Sequence, residues 1–410
     1  MKAGVKPIFV STPGRIDFLN THQDYKGLPV VPVAINLRCY ALGYRNNSDI
    51  VNFASLNIID HGFEGYDTFC LMDLKLRGEG WFGDYVRAIF KSFMDFAFDV
   101  GGMDIALWSE IPIGAGLSSS AALEVSIVKL VDEAYGLNLD KSMIAEIAYR
   151  AEHDIIGVPC GRLDQYGCSY GGIIVLDPNP PCKVEVLPCD DLLFIAADSG
   201  IHRRIINVHP IRQAEINDAL RILLNEVAID GSLRSKLAYN YYEVSWRNIS
   251  ENEIKPYLPS LPKNLANRLL FTIRMNISTI YAIDLIRGLK PHVDEIKSLL
   301  GDDFVSKYNV DFNDKLSVIG LIINYQHELL RDYYEVSLPI LEDIRNIMLD
   351  NGALGAKISG AGLGGVVVGL IRDKGVAERV RKACVDYGCP LSFYSNPSEG
   401  VKTEYLSLDD

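Results

Sequence analysis

Apolar positions cluster in two runs near the N-terminus. "PIFVS" and "LPVVPVAINLRCYALGY" are rich in Val, Ile, Leu and Tyr and bounded by Pro and Gly, which predicts strands. The period then changes. In "WFGDYVRAIFKSFMDF", Trp81, Tyr85, Ile89 and Phe93 recur every four residues, the stripe of a helix. "MDIALWSEIP" is strand-like and runs into "GAGLSSSAALEV", after which Leu123, Ile127, Leu130, Val131 and Ala134 repeat at helical spacing as far as Gly136. "DKSMIAEIAYRAEHDIIG" predicts another helix, with Asp140 as N-cap and Gly157 just past its end. From about residue 205 to 349 long helical stretches dominate, broken by the Pro-rich "PYLPSLPKN". A strand and glycine turn, "GALGAKISGAGLGGVVVGLI", an amphipathic helix and two short strands close the chain. The pattern predicts an α+β protein of two domains, residues 1–190 and 191–410, with the boundary at about 185–195.

Composition narrows the chemistry. A chain of 410 residues, 48% hydrophobic, can bury more than one core, and a net charge of −13 disfavours a phosphate backbone or an anionic membrane as partner. No stretch approaches 18 uncharged apolar residues, and "MKAGVKPIFVSTPGR" is too weakly apolar for a signal peptide, so a cytoplasmic location is expected. The eight cysteines contain no C-x-x-C pair or zinc spacing and are expected to be buried thiols.

The stretch from Gly114 to Ser120 invites a chemical reading. A helix N-terminus carries backbone N–H groups without intrahelical acceptors, and its dipole favours an anion there. Glycines admit phosphate oxygens close to the backbone, and serine hydroxyls add donors or a magnesium ligand. It is not a Walker A loop, since Leu117 rather than Lys-Ser or Lys-Thr follows Gly116. A serine-capped strand-to-helix turn would use the same letters.

Two further stretches favour the phosphate reading. "STPGRIDFLNTHQDYKGLPVVPVAI" and "AKISGAGLGG", with the serine loop between them, resemble in order and spacing the three motifs of the GHMP kinases. Within that superfamily the chain most resembles the galactokinases. "TPGRIDFLNTHQDY" is similar to their A-P-G-R-V-N-L-I-G-E-H-T-D-Y, and "AEHDIIGVPCGRLDQ" to A-E-H-x-x-x-G-x-P-C-G-x-x-D-Q. "WFGDYV" and "NPSEGVK" resemble W-x-x-Y-V and P-S-D-G-A, so the likeness runs from about residue 7 to 402.

The resemblance implies a two-domain GHMP-kinase fold with nucleotide and sugar sites in the cleft between domains, ATP and Mg²⁺ as cofactors and a small sugar as partner. It implies that Gly114, Ala115, Gly116, Leu117, Ser118, Ser119 and Ser120 cradle the triphosphate, with Ser120 and Glu152 on the metal. It implies a reacting pair, Asp164 as base and Arg15 beside it, the arginine lowering the carboxylate's pKa and stabilising transition-state charge. His22, Asp24 and the backbone at Gly161 are expected at sugar hydroxyls, Trp81 and Tyr85 near the adenine, and Ser359–Gly365 against the nucleotide.

Two positions depart from the galactokinase pattern. Thr21 stands where these enzymes carry a glutamate that meets the sugar around its C6 hydroxyl, next to Asn20 in place of glycine. His209 replaces a sugar-binding tyrosine, while Pro210 and Arg212 match. Such exchanges shift selectivity, so the expected reaction is phosphorylation of the C1 hydroxyl of galactose or a galactose-like sugar altered at C6 or C2. Arg203 and Arg204 offer charge for a carboxylate. The alternatives are a kinase for another small alcohol and a sugar- and ATP-binding sensor that transfers nothing; the intact "GAGLSSSAA", Arg15 and Asp164 favour an enzyme.

Overall fold

The apolar runs of residues 8–45 fold as a long antiparallel pair, β1 (Ile8–Leu19) and β2 (Val31–Arg45). β1 does not stop at Ser11 as its composition suggests. It continues through Pro13 and Gly14, with register shifts at Pro13/Arg15 and Asp17/Leu19. Such shifts absorb a proline, which has no N–H for the ladder. Gly14 is fixed by close approach, since a Cβ there would lie 2.7 Å from the carbonyl oxygen of Leu117.

The computed structural model describes residues 6–78, 80–188, 192–201 and 208–404. β1 and β2 form the centre of an eight-stranded sheet with β3 (Ile50–Ser55), β4 (Tyr66–Cys70), β5 (Met103–Ser109), β6 (Ile173–Asp177), β7 (Lys183–Leu187) and β12 (Lys402–Glu404). Its main order is β12-β1-β2-β5-β3-β4, with β6 joined to β2 and β7 to β6. A second, antiparallel sheet runs β11-β8-β10-β9, from Ser392–Ser395, Leu193–Asp198, Val366–Ile371 and Gly355–Ile358.

Of the longer helices, α2 (Ser119–Tyr135) and α4 (Leu163–Tyr170) pack on β1 and β2, with α1 (Asp84–Asp95) and α3 (Lys141–Arg150) against them. In the second half, α5 (Val208–Glu226) pairs with α6 (Lys263–Arg287), while α7 (Lys315–Glu328), α8 (Pro339–Asp350) and α9 (Lys374–Tyr387) cover the second sheet. α6 has the length and composition to cross a bilayer, but 61% of its most apolar window is buried against the rest of the chain.

The two sheets fall on either side of residue 190, with one exception. β12 comes from the last residues yet is hydrogen bonded to β1, so the proposed second domain gives its end back to the first. Residues 189–191, where the division was expected, lie outside the described residues, as do Arg203 and Arg204. The seven described cysteines are free thiols, and four of them are buried.

Two local expectations are corrected. α1 begins at Asp84, so Trp81 stands in the turn before it and only Tyr85, Ile89 and Phe93 ride the helix. α3 is capped by Asp140, whose carboxylate accepts from the Met143 N–H at 2.7 Å, but beyond Arg150 it widens into a π-type turn, Ala151–Ile156, ending at left-handed Gly157. Such turns re-aim side chains and recur at functional sites. Glu152 sits in this one.

Candidate active site

β5 leads into the loop that opens α2. Gly114 and Gly116 have positive φ, 76° and 80°, as glycine readily allows. Ser118 is left-handed too, at φ 61°, a costly conformation for a residue with a Cβ and one that marks functional loops. Ser118 occupies the N-cap position without capping: no side-chain cap bond forms, and its buried hydroxyl finds no partner among the described residues. The serine-cap reading therefore fails, and the entrance of α2 keeps both free N–H groups and an unused hydroxyl, the equipment of an anion site.

Arg15 reaches this loop from β1. Its Nε and one terminal nitrogen donate to Asp164 Oδ1 at 2.8 and 2.5 Å, and its other terminal nitrogen donates to the Gly116 carbonyl at 2.9 Å. Residues 149 positions apart thus meet on the glycine turn. Burial pulls the pKa of Arg15 down, but the charges of Asp164 and Asp17 prevail and hold it above its ordinary value.

Glu152 approaches from the other side. It is buried and accepts from Gln165 Nε2 at 2.6 Å, and the nearby Ser120 hydroxyl pulls its pKa down. Burial and then the charge of Asp164 push its carboxyl up to about 7. Glu124, on α2 and fully buried, is pushed up strongly by burial and by Glu152, and Gln165 reaches it at 3.3 Å. The charges acting on both glutamates are other carboxylates, so a cation would relieve them. Among the described residues no group of three or more His, Cys, Asp or Glu forms a cage. That suits a cation taking one carboxylate and one hydroxyl here and completing its shell with phosphate oxygens and water. Sequence reasoning missed Glu124 and Gln165; an acid in an otherwise apolar helix run, "AALEVSIV", was the available signal.

The third wall is the segment after β1. Asp24 is partly buried, and burial, then Asp164, raise its carboxyl to about 6 although the N–H groups of Tyr25 and Leu163 pull it down. Gly161 lies against it: a Cβ there would fall 1.6 Å from Asp24 Oδ2. His22 is buried with φ 65°, its ring 5.0 Å from that of His209 on the first turn of α5 and 4.9 Å from Tyr334. Burial holds both imidazoles neutral, His209 at about 4 and His22 well below its ordinary value. Thr21 is buried, its hydroxyl accepting from Lys357 at 2.6 Å. Buried atoms here find no partner among the described residues: Asp17 Oδ1, Asn20 Oδ1, His22 Nε2, His209 Nδ1 and both amide atoms of Gln23. Gln23 and Tyr334 were not foreseen; only tertiary packing brings the tyrosine to His22.

Trp81 is held elsewhere. Its indole donates to Asp67 at 3.1 Å and lies under Arg77, so nothing in its contacts joins it to the loop. Tyr85 is the aromatic facing the acids, its phenol pushed up by burial and then by Glu152 and Glu124. Ser359–Gly365 turns β9 into β10 and backs onto the loop, a Cβ on Gly365 lying 3.1 Å from the Ala115 carbonyl.

Three family models match this chain: the GHMP kinases N-terminal domain over residues 84–172, the GHMP kinases C-terminal domain over 313–388, and the galactokinase galactose-binding signature over 2–45. The chain belongs to the GHMP kinases. It is an ATP-dependent sugar kinase of their galactokinase branch. Relatives include the galactokinases of Pyrococcus furiosus, 28% identical over 96% of this chain and 99% of that one, and of Clostridium perfringens, 27% identical over 93% and 91%. A GHMP kinase should share its fold widely, and it does. Lactococcus lactis galactokinase complexed with galactose superposes with a TM-score of 0.75 at 22% identity, covering 98% of this chain and 95% of that one. L. major mevalonate kinase in complex with R-mevalonate superposes at 0.60 and 16%, covering 95% and 96%.

Proposed function

We propose that the chain transfers the γ-phosphoryl group of ATP to the anomeric C1 hydroxyl of galactose or a galactose-like sugar altered at C6 or C2, giving the sugar 1-phosphate and ADP. The observation that carries this reading is the meeting of Arg15 and Asp164 on the carbonyl of Gly116. The residues of the site divide by task. Gly114–Ser120 receives the polyphosphate through the free N–H groups of α2. Ser120 and Glu152 hold Mg²⁺, which when bound neutralises phosphate charge. Both bonds from Arg15 fall on Asp164 Oδ1, which leaves Oδ2 to accept the proton of the attacking hydroxyl. The second terminal nitrogen of Arg15, tied to Gly116, keeps that carboxylate in register with the loop.

His22, Asp24, His209 and the Gly161 backbone bind the sugar, a role that the unpartnered His22 Nε2 and His209 Nδ1 support, because a polyhydroxylated ligand satisfies such groups. The names of the relatives support galactose; Thr21 and His209 support a looser choice at the C6 corner. The test is ADP release with ATP, Mg²⁺ and a panel of galactose, 6-deoxygalactose, galacturonate and galactosamine. Loss of the product's reducing end is expected with each accepted sugar. ADP release with a retained reducing end would overturn C1 as the acceptor, and sugar binding without ADP would overturn catalysis.

A further inference from the structure

Arg268, on α6, is an arginine whose side chain is wholly enclosed. Its fork serves three acceptors. Nε donates to Glu215 on α5 at 2.6 Å, one terminal nitrogen to the Tyr333 carbonyl and the other to the Glu335 carboxylate. Arg212, one turn before Glu215 on α5, closes the ring: it donates to both Glu215 oxygens at 3.0 and 2.9 Å and to the Glu335 carbonyl at 3.1 Å. Two arginines therefore hold Glu335 at both ends. Glu335 is left-handed, φ 56°, a conformation that persists in a residue with a Cβ where its surroundings dictate it. Burial draws the guanidinium of Arg268 down, but Glu215 and Glu335 prevail and hold its pKa above the ordinary value.

A buried guanidinium with its carboxylates gains little stability over apolar packing of the same volume. What the clasp adds is direction, because an arginine fork fixes each acceptor in angle as well as distance. The elements it joins are the two that bring rings to His22. Tyr334 sits between the two held residues, its ring 4.9 Å from that of His22 and 4.1 Å from Phe271 on α6, its hydroxyl 2.7 Å from that of Tyr25. His209, one turn before Arg212, has its ring 5.0 Å from that of His22. We propose that Arg268 is a positioning residue for the sugar pocket, locking residues 333–335 to the first turns of α5 and so setting Tyr334 and His209 against His22. The clasp stands on its hydrogen bonds; its effect on sugar binding rests on the kinase reading above.

Glu335→Gln tests it, since this side chain is half-exposed and the loss of its charge leaves the core in place. The galactose KM is expected to rise by roughly three- to tenfold, with kcat and the ATP KM within about twofold of wild type. Arg268→Lys keeps the charge without the fork and is expected to raise the galactose KM further; a native KM in R268K would show that charge suffices and overturn the clasp. Arg221→Gln removes an exposed ion pair from the same helix α5 and is expected to change neither constant. A second readout needs no sugar. In the ligand-free protein the ¹³C-labelled ring resonances of His22 and His209 are expected to move in E335Q and R268K and to stay in place in R221Q, because a displaced aromatic ring changes the shielding of its neighbours. Unmoved resonances overturn the proposal. So does a lower melting temperature with the galactose KM unchanged, or an equal rise in both KM values, the mark of general loosening. Moved resonances in a protein that phosphorylates no sugar leave the positioning standing and sink the kinase reading.

Discussion

The molecule has two glycine-rich turns of similar composition, and they behave differently. Residues 114–120 end a strand and open the 17-residue helix α2; residues 359–365 join two adjacent strands. Both contain glycines at positive φ and begin or end near a buried serine. In the first, Ser118 leaves its hydroxyl and the helix N-terminus unspent. In the second, Ser359 Oγ accepts from Asp17 N, and its own N–H goes to Val366, so the turn is consumed as a joint between domains. A glycine turn binds a ligand only with the polar groups that the fold leaves unpaired. Composition alone cannot report which those are.

The division of labour breaks first at the reacting pair. Asp164→Asn is expected to cut kcat by roughly 10²–10⁴ and to lower Tm as well, since buried Arg15 loses its paired charge; near-native turnover in the folded variant would remove Asp164 from the proton transfer. Next in size, Ser120→Ala should raise the Mg²⁺ concentration for half-maximal rate by roughly tenfold and leave the sugar KM in place. An unchanged Mg²⁺ requirement would place the metal elsewhere.

The two serines sharpen the contrast directly. Ser118→Gly, which suits φ 61°, should raise the KM for ATP several-fold without loss of stability, by removing a ligand donor and relieving strain of about 1 kcal/mol. Ser359→Ala should do the reverse, costing about 1–2 kcal/mol by leaving Asp17 N unpaired while changing the ATP KM less. Equal profiles from urea melts and initial rates would erase the distinction between the turns.

The smallest effect is one of pH. Asp24 titrates at about 6 when folded against the ordinary 3.8, so the folded state binds more protons between pH 4 and 6. Its contribution to stability is complete below pH 4 and is lost as pH rises through 6. Asp24→Asn should therefore match wild type in urea melts at pH 4, exceed it by roughly 1–2 kcal/mol at pH 7, and bind sugar more weakly. A variant less stable than wild type at pH 7 would contradict that sign.

Some of this was legible in the chain. Periodicity placed α2 and α3, the φ demands of glycine marked both turns, and Asp140 capped the helix it was expected to cap. β1 was read too short because a proline and a glycine inside a strand look like its end, when the bulge keeps the strand going beneath Leu117. Trp81 fitted a helical stripe by spacing but falls before the helix starts. Lys357 had a signal that went unread, a lone lysine between buried neighbours in "GAKIS".

What the sequence determined by itself was local: strand and helix periods, caps, turns that need glycine, and the motif order that marks a kinase. These follow from φ/ψ preferences and from side chains a few residues apart. Only the tertiary structure decided that Arg15 meets Asp164 across 149 positions, that Lys357 crosses 340 to Asp17, and that Ser118 stays unpaired while Ser359 does not. Charge and hydrogen-bond pairing act over a few ångströms of space. The chain's order does not encode that distance until the two sheets have packed.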